Sequence, residues 1–203
     1  MEMIKQTPNV FSEPVADASV LPTLLLSRFT RGSVKVILGG DGGDELFAGY
    51  PTFQAETIFG THERFPEIIK SLFKKIINLL PASDANFSLS FKLRKFISSS
   101  NKDKFRRHAE WLGSFTEPET SELLSDSVKK ELKNKNIFEE TDKYKNEYNQ
   151  KDSGNKLLYV YLRSYLMDEV LVKVDRASMH YALETRAPFL DYRVVDFVFS
   201  LSY

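Results

Sequence analysis

Apolar residues recur along this chain at two spacings, and the switches between them lay out its elements. Val20, Leu24, Leu25 and Phe29 fall at helical intervals behind Asp17, with Pro14 upstream and Gly32 just past the last turn, which predicts a helix capped by Asp17. Val34-Lys35-Val36-Ile37-Leu38 is then a short β-branched and aliphatic run that stops at Gly39-Gly40, the pattern of a buried parallel strand followed by a tight turn. Residues 1 to 12 show no period and read as irregular. Beyond Pro66, Ile68, Ile69, Leu72, Phe73, Ile76, Ile77 and Leu80 return to helical spacing with Lys70, Lys74 and Lys75 opposite. That stretch predicts a strong amphipathic helix, read as turning its apolar face to the core and its lysines to solvent, with a membrane-surface or partner-binding element as the alternative.

Further along, Glu117-Pro118-Glu119 opens a helix toward Leu123 and Leu124. Residues 125 to 152 are the most polar part of the chain and read as a solvated helix and loop, where disorder is expected. From Leu157 through Tyr161, Tyr165, Leu166 and Leu171 a helix runs on into Val172 to Met179, and Pro188 must end whatever helix precedes it. No second convincing strand is found. The lone strand is therefore expected to be covered by self-association through strands or apolar helix faces, or by a remodelled, unusually helical monomer.

Composition narrows the function classes. At 203 residues and 42% hydrophobic content the chain can bury a core, and 28 basic residues balance 28 acidic ones. No net charge favours nucleic acid or an anionic membrane. The basic clusters 92 to 95 and 102 to 107, with Phe91, Phe96 and Phe105 interleaved, belong to no recognised nucleic-acid module. The absence of cysteine excludes disulfides, thiolate metal sites and a cysteine nucleophile within these residues, including that of an N-terminal-cysteine glutaminase. His62, His108 and His180 lack ligand spacing. With no signal pattern and no membrane-length apolar run, the expected location is cytoplasmic.

The candidate chemistry gathers just after the strand, at Gly39-Gly40-Asp41-Gly42-Gly43-Asp44-Glu45-Leu46-Phe47-Ala48-Gly49-Tyr50. Ligands of open α/β sheets bind beyond the carboxyl ends of the strands, where glycines let the backbone approach a phosphate. Asp41, Asp44 and Glu45 are expected on a loop there. Three carboxylates in five residues would repel a phosphate unless Mg²⁺ lies between them. A P-loop, a dinucleotide fingerprint and an EF-hand each fail on spacing. Spacing alone fits an ordinary glycine-rich turn with solvated acids equally well.

This segment resembles the Ser-Gly-Glu/Asp-Gly-Ser/Gly-Asp-Glu-hydrophobic-Phe-Gly-Gly-Tyr stretch of the asparagine synthetase family, in its ATP-dependent synthetase domain. Two other stretches match in the same order. Glu13 to Thr23 resembles the segment preceding the acidic loop, where Asp17 stands as a nucleotide contact in the alternative to the helix cap. Tyr165 to Phe199 contains Lys173-Val174-Asp175-Arg176-Ala177-Ser178-Met179 and Leu183-Glu184-Thr185-Arg186-Ala187-Pro188-Phe189-Leu190-Asp191, similar to the family's Lys-x-Asp-Arg-x-Ser-Met and Leu-Glu-x-Arg-x-Pro-Phe-Leu-Asp motifs. Glu184 and Arg186 are placed to pair as a clamp.

The resemblance implies binding of ATP and Mg²⁺, adenylation of the side-chain carboxylate of aspartate, and displacement of AMP by ammonia derived from glutamine. By position it implies nucleotide contacts at Gly39, Gly40, Gly42 and Gly43, a Mg²⁺-pyrophosphate ligand at Asp44, and the acidic position of amide formation at Asp41. Glu45 completes the catalytic set with a less defined role. Gly39 replaces the serine of many members, and Asp41 is one methylene shorter than their glutamate. A β-lactam synthetase is disfavoured, because it resembles this chain with tyrosine in place of Asp41. Other adenylating amide ligases and a non-catalytic helical module remain as alternatives.

The fold class implied is mostly α with a small α/β remnant: a partial adenine-nucleotide α-hydrolase-like (PP-loop) synthetase domain with few strands. Residues 1–203 are expected as one partial domain, 1–55 an α/β nucleotide-loop part and 56–203 a helical part. The family's Ser-Gly-Gly-x-Asp-Ser loop and its downstream Arg-x-Lys segment do not occur in these residues. The isolated chain is therefore expected to be an inactive fragment that associates with itself or with missing synthetase segments, and neither nucleic acid nor membrane is expected as a partner.

Overall fold

A computed structural model describes residues 2–13, 15, 17–80, 89–99 and 103–203. Chain contacts divide it into two compact units, one formed by residues 1–49 with 144–203 and the other by residues 50–143. Among the described residues, no helix is long and apolar enough to cross a membrane.

The first unit opens with α1 (Glu2–Val10), where an irregular segment was expected. Pro8 and scattered polar residues hide its period, yet Val10 and Met3 pack on a core of Phe11, Val20, Leu24 and Ala177. Helix α2 (Val20–Arg31) ends at Gly32 as its pattern predicts, but its N-cap is Ser19 rather than Asp17. Asp17 lies one turn short of the helix and is committed to Ser19 and Lys173 instead. Strand β1 (Val36–Leu38) follows, then the five-residue α3 (Gly43–Phe47).

The second unit contains α4 (Pro51–His62), α5 (Glu67–Leu79), α6 (Leu89–Ser98), α7 (Lys104–Leu112), α8 (Glu117–Leu123) and α9 (Asp126–Leu132). A capping box starts α8: the backbone N–H and hydroxyl of Thr116 both donate to Glu119, at 2.7 and 2.8 Å. The core is aromatic, with Phe59, Phe96 and Trp111 clustered and Trp111 stacked on Phe96 at 5.9 Å. Helix α5 has the predicted span, but its orientation is not the predicted one. Ile77 is buried, whereas Ile68, Leu72, Phe73, Ile76 and Leu79 are exposed. The polar stretch 125 to 152, read as a solvated helix and loop, holds two helices, α9 and α10 (Glu139–Glu147).

Back in the first unit, Asp152 caps α11 (Ser153–Tyr161), accepting from the backbone N–H groups of Gly154 and Asn155. The helix continues as a π-helical stretch, Leu162–Val170, and as α12 (Leu171–Met179). Ala182, in the left-handed region at φ 55°, turns the chain into β2 (Glu184–Arg186). A 3₁₀ turn at Pro188–Leu190 and α13 (Tyr192–Ser200) follow, so Pro188 begins a turn well after α12 has ended.

The expectation of a lone strand is corrected by β2. It pairs parallel with β1 in the register Val36↔Glu184, Ile37↔Thr185 and Leu38↔Arg186. A three-residue strand reading Glu-Thr-Arg has no apolar signature, which is why sequence patterning passes over it. Nor is β1 buried on both faces: Val34 and Val36 are exposed, and Leu38 is 72% exposed. The architecture is mostly helical with a small parallel α/β piece.

Candidate functional site

The turn after β1 is fixed from both sides. The Gly39 N–H donates to the Arg186 carbonyl at 2.7 Å, extending the ladder one residue beyond the strand. Gly43 N–H then donates to Gly40 at 3.1 Å, and Leu46 N–H to Gly42 at 3.0 Å. Gly42 has φ +88°, a conformation that glycine adopts without the steric penalty of a Cβ. A Cβ there would overlap the Leu190 side chain. At the far end Ala48 is left-handed and Gly49 N–H closes on the Asp44 carbonyl at 2.9 Å, while the Asp44 carboxylate fills the space that a Cβ on Gly49 would need.

The three acids sit beyond the carboxyl end of β1, but only Asp41 is on the turn. Asp44 and Glu45 occupy the first turn of α3, which corrects the expectation that all three lie on a loop. Glu45 is turned inward and is 1% exposed. Asp41 lies over Gly39: a Cβ on Gly39 would come 2.5 Å from an Asp41 carboxylate oxygen. Only the far end of a flexible side chain stands in the way there. Gly39→Ser is accordingly expected to change stability by less than about 0.5 kcal/mol, and a thermal melt of the variant against the parent checks this.

The two separate signatures form one structural piece. Besides the β1–β2 pairing, Phe189 packs edge-on to Phe47 at 5.9 Å and lies in contact distance of Gly43, while Leu190 occupies the space beside Gly42. The Glu184–Arg186 clamp is present, with Arg186 Nε donating to Glu184 at 2.7 Å, but both side chains are exposed, so the pair adds little to stability. Asp191 instead caps α13 through the Arg193 N–H at 3.0 Å.

A second cluster, which sequence reading did not assemble, joins the segment before α2 to the long helix. Lys173 Nζ donates to Asp17 at 2.7 Å and to the Ser19 hydroxyl at 2.8 Å, and Ser19 in turn donates to Asp17. Burial would push the Asp17 carboxyl up, but Lys173 and Ser19 outweigh it and hold Asp17 below the usual carboxylate range. Glu169, one turn before Lys173, moves the other way: burial raises it, and the negative charge of Asp17 adds to that effect. Tyr165 is raised by burial and then by the negative charges of Glu169, Asp17, Glu45 and Asp44.

A cavity of about 230 Å³ opens at this cluster, lined among others by Glu13, Asp168, Glu169, Lys173 and Arg176. The signal for it was present in the sequence as Glu169 and Lys173 at a four-residue interval, which puts both on one face of the helix.

No group of three or more His, Cys, Asp or Glu side chains among the described residues could hold a metal ion by itself. Mg²⁺, however, is commonly bound through one or two carboxylates, with phosphate oxygens and water completing its shell. Asp44, the position that the resemblance implies as the ligand, supplies a donor of that kind, and in that sense the residue fits the ion.

The asparagine synthase family model matches the whole chain, residues 1–203. The chain belongs to the asparagine synthase family. A glutamine-hydrolysing asparagine synthetase 1 of Bacillus subtilis (strain 168) is 27% identical over 203 residues, covering 96% of this chain and 30% of that protein. A Methanocaldococcus jannaschii protein provisionally named as a glutamine-hydrolysing asparagine synthetase is 31% identical over 184 residues, 88% of this chain and 32% of its own. A Mycobacterium bovis protein with a similar provisional name is 27% identical over 196 residues, 94% of this chain and 28% of its own. The chain thus spans about 30% of the length of these relatives. No solved structure matches it significantly.

Proposed function

We propose that these residues form part of the ATP-dependent synthetase site of an asparagine-forming enzyme with a PP-loop fold. The observation that carries this reading is the union of the two family signatures around one glycine turn, through the Gly39–Arg186 hydrogen bond and the packing of Phe189 and Leu190. In this reading Gly39, Gly40, Gly42 and Gly43 give the backbone close access to the nucleotide. Asp44 would hold Mg²⁺, which would supply positive charge to offset the repulsion between carboxylate and phosphate. Adenylation joins the side-chain carboxylate of aspartate to the α-phosphate of ATP with release of pyrophosphate, giving a mixed anhydride from which ammonia, attacking the acyl carbon, displaces AMP. Asp41 accepts the proton that the attacking ammonia loses as the amide forms. Glu45, buried beneath the turn, belongs to the same set.

The isolated chain is proposed not to complete this reaction, since it spans about 30% of the relatives named as synthetases. Two assays test the reading. The pure 203-residue chain with aspartate, ATP, Mg²⁺ and ammonium should yield no asparagine. The same residues exchanged for the matching segment of the Bacillus subtilis relative should support ammonia-dependent synthesis, and Asp44→Ala should lower it by roughly 10²–10³-fold. A folded exchange protein that is inactive, or one indifferent to Asp44→Ala, overturns the assignment. Asparagine formation by the isolated chain overturns the second proposal.

A further inference from the structure

The apolar stripe of α5 fits none of the chemistry above. Ile68 and Leu79 are 82% and 83% exposed, and Leu72, Phe73 and Ile76 continue the same stripe between them. One flank of the helix is anchored: Ile77 is buried, and α6 packs alongside. Lys75 on the other flank and Lys74 on the face opposite the stripe are exposed. Amphipathic helices with a broad apolar face and lysines beside it bind at the boundary between lipid headgroups and acyl chains, where the lysine stems lie along the apolar layer and the ammonium groups reach the headgroups.

Charge selects among the possible occupants. The whole chain is balanced at 28 basic and 28 acidic residues, yet residues 64 to 95 hold seven Lys and Arg against two Asp and Glu. A second copy would bring this positive region against itself, which opposes pairing through the face. An anionic surface is its complement, and lipid supplies both the negative charge and the apolar layer that the stripe requires. At about 20 Å, a 13-residue helix is shorter than the roughly 30 Å hydrocarbon core, so it lies in the surface and does not span it.

We propose that α5 is an interfacial docking helix for anionic lipid surfaces. The proposal takes up the membrane-surface reading that the helical pattern offers beside the core-facing one; net charge does not register it because the charge is segregated along the chain. The inference stands apart from the proposed synthetase reading, since it uses none of the residues assigned there.

Vesicle flotation of the full 203-residue chain tests it, with phosphatidylcholine alone against phosphatidylcholine containing about 30% phosphatidylserine. Binding to the anionic vesicles should exceed binding to the neutral ones by about tenfold and fall as salt is raised to about 0.5 M. The exposed double variant Ile68→Gln/Leu79→Gln should lose about tenfold or more in partition with unchanged circular dichroism. Lys74→Gln/Lys75→Gln should lose chiefly the preference for anionic vesicles. A folded chain that stays off anionic vesicles overturns the proposal, as does parental binding by Ile68→Gln/Leu79→Gln. Should the parent instead dimerise in sedimentation, with the dimer lost in that variant and no vesicle binding, the face belongs to a second copy and the lipid assignment is wrong.

Discussion

Glu56→Ala should destabilise the second unit by about 3 kcal/mol at neutral pH, an effect large enough to unfold a marginal domain. The reason is Arg107. Its guanidinium is buried, forks onto Glu56 with hydrogen bonds of 2.9 and 2.7 Å, and lies 3.7 Å from the centre of the Phe59 ring. Removing the carboxylate takes both of these hydrogen bonds from a buried cation packed against aromatic rings, and breaking a buried pair from one side costs more than the pair contributes to stability when intact. Trp111 is the one tryptophan in the sequence and stacks within this core, so its fluorescence reports this unit's denaturant transition. A midpoint unchanged by Glu56→Ala would show that Arg107 finds water or another anion, and the account would fail.

The same cluster sets an acid dependence. Burial alone would push the Glu56 carboxyl up, but His108 and Arg107 beside it bring it down to about 2. The folded value lies below the unfolded one. The stability it contributes is therefore present above about pH 4.5 and drains away as pH falls toward 2. His108, buried against Phe53 and Trp111, is lowered chiefly by burial, with Arg107 and Lys104 adding to the effect and Glu56 opposing it. A histidine held below its ordinary value takes up its proton more readily when unfolded, so acidification below about pH 6.5 also destabilises. Both contributions have the same sign. The parent should lose stability from about pH 6.5 downward, and the gap between parent and Glu56→Ala should narrow toward pH 3. A gap that stays constant with pH would mean that the carboxylate's charge is not what holds Arg107.

What the residues revealed in advance depended on whether the cause was local. The glycine turn after β1 was legible because a β-branched run meeting two glycines has few alternatives, and the acids follow within five positions. The span of α5 was legible from its period, but a period shows which residues share a face and not what that face meets. Asp17 read as a cap because it stands before an apolar helix; its partner Lys173 is 156 residues away, and no local pattern could offer it. Strand β2 is held by backbone pairing to β1 and has neither the length nor the apolar alternation from which strands are read. The contacts that build the candidate site, from Arg186, Phe189 and Leu190 back to the glycines, became visible only as two motifs resembling one family, and their physical junction required the fold.

That junction makes Gly42 the position in the first unit where a single methyl group should do most damage. Gly42→Ala is expected to lower stability by about 2–4 kcal/mol. A left-handed residue with a Cβ costs about 1–2 kcal/mol at φ +88°. The added carbon would also overlap Leu190 Cδ2 and come within 2.8 Å of its Cγ. Leu190 cannot withdraw freely, because it closes the 3₁₀ turn whose neighbour Phe189 packs on Phe47 and Gly43. A double-mutant cycle separates the two contributions. In a Leu190→Ala background the overlap is gone and the backbone strain remains, so Gly42→Ala should then cost about 1–2 kcal/mol. Thermal melts followed at 222 nm measure both steps. Equal costs in the two backgrounds would show that Leu190 does not brace the turn, and a Gly42→Ala variant melting like the parent would show that the turn relaxes to another conformation. Either result would remove the physical basis for treating the glycine loop and the Pro188–Leu190 turn as one preorganised site.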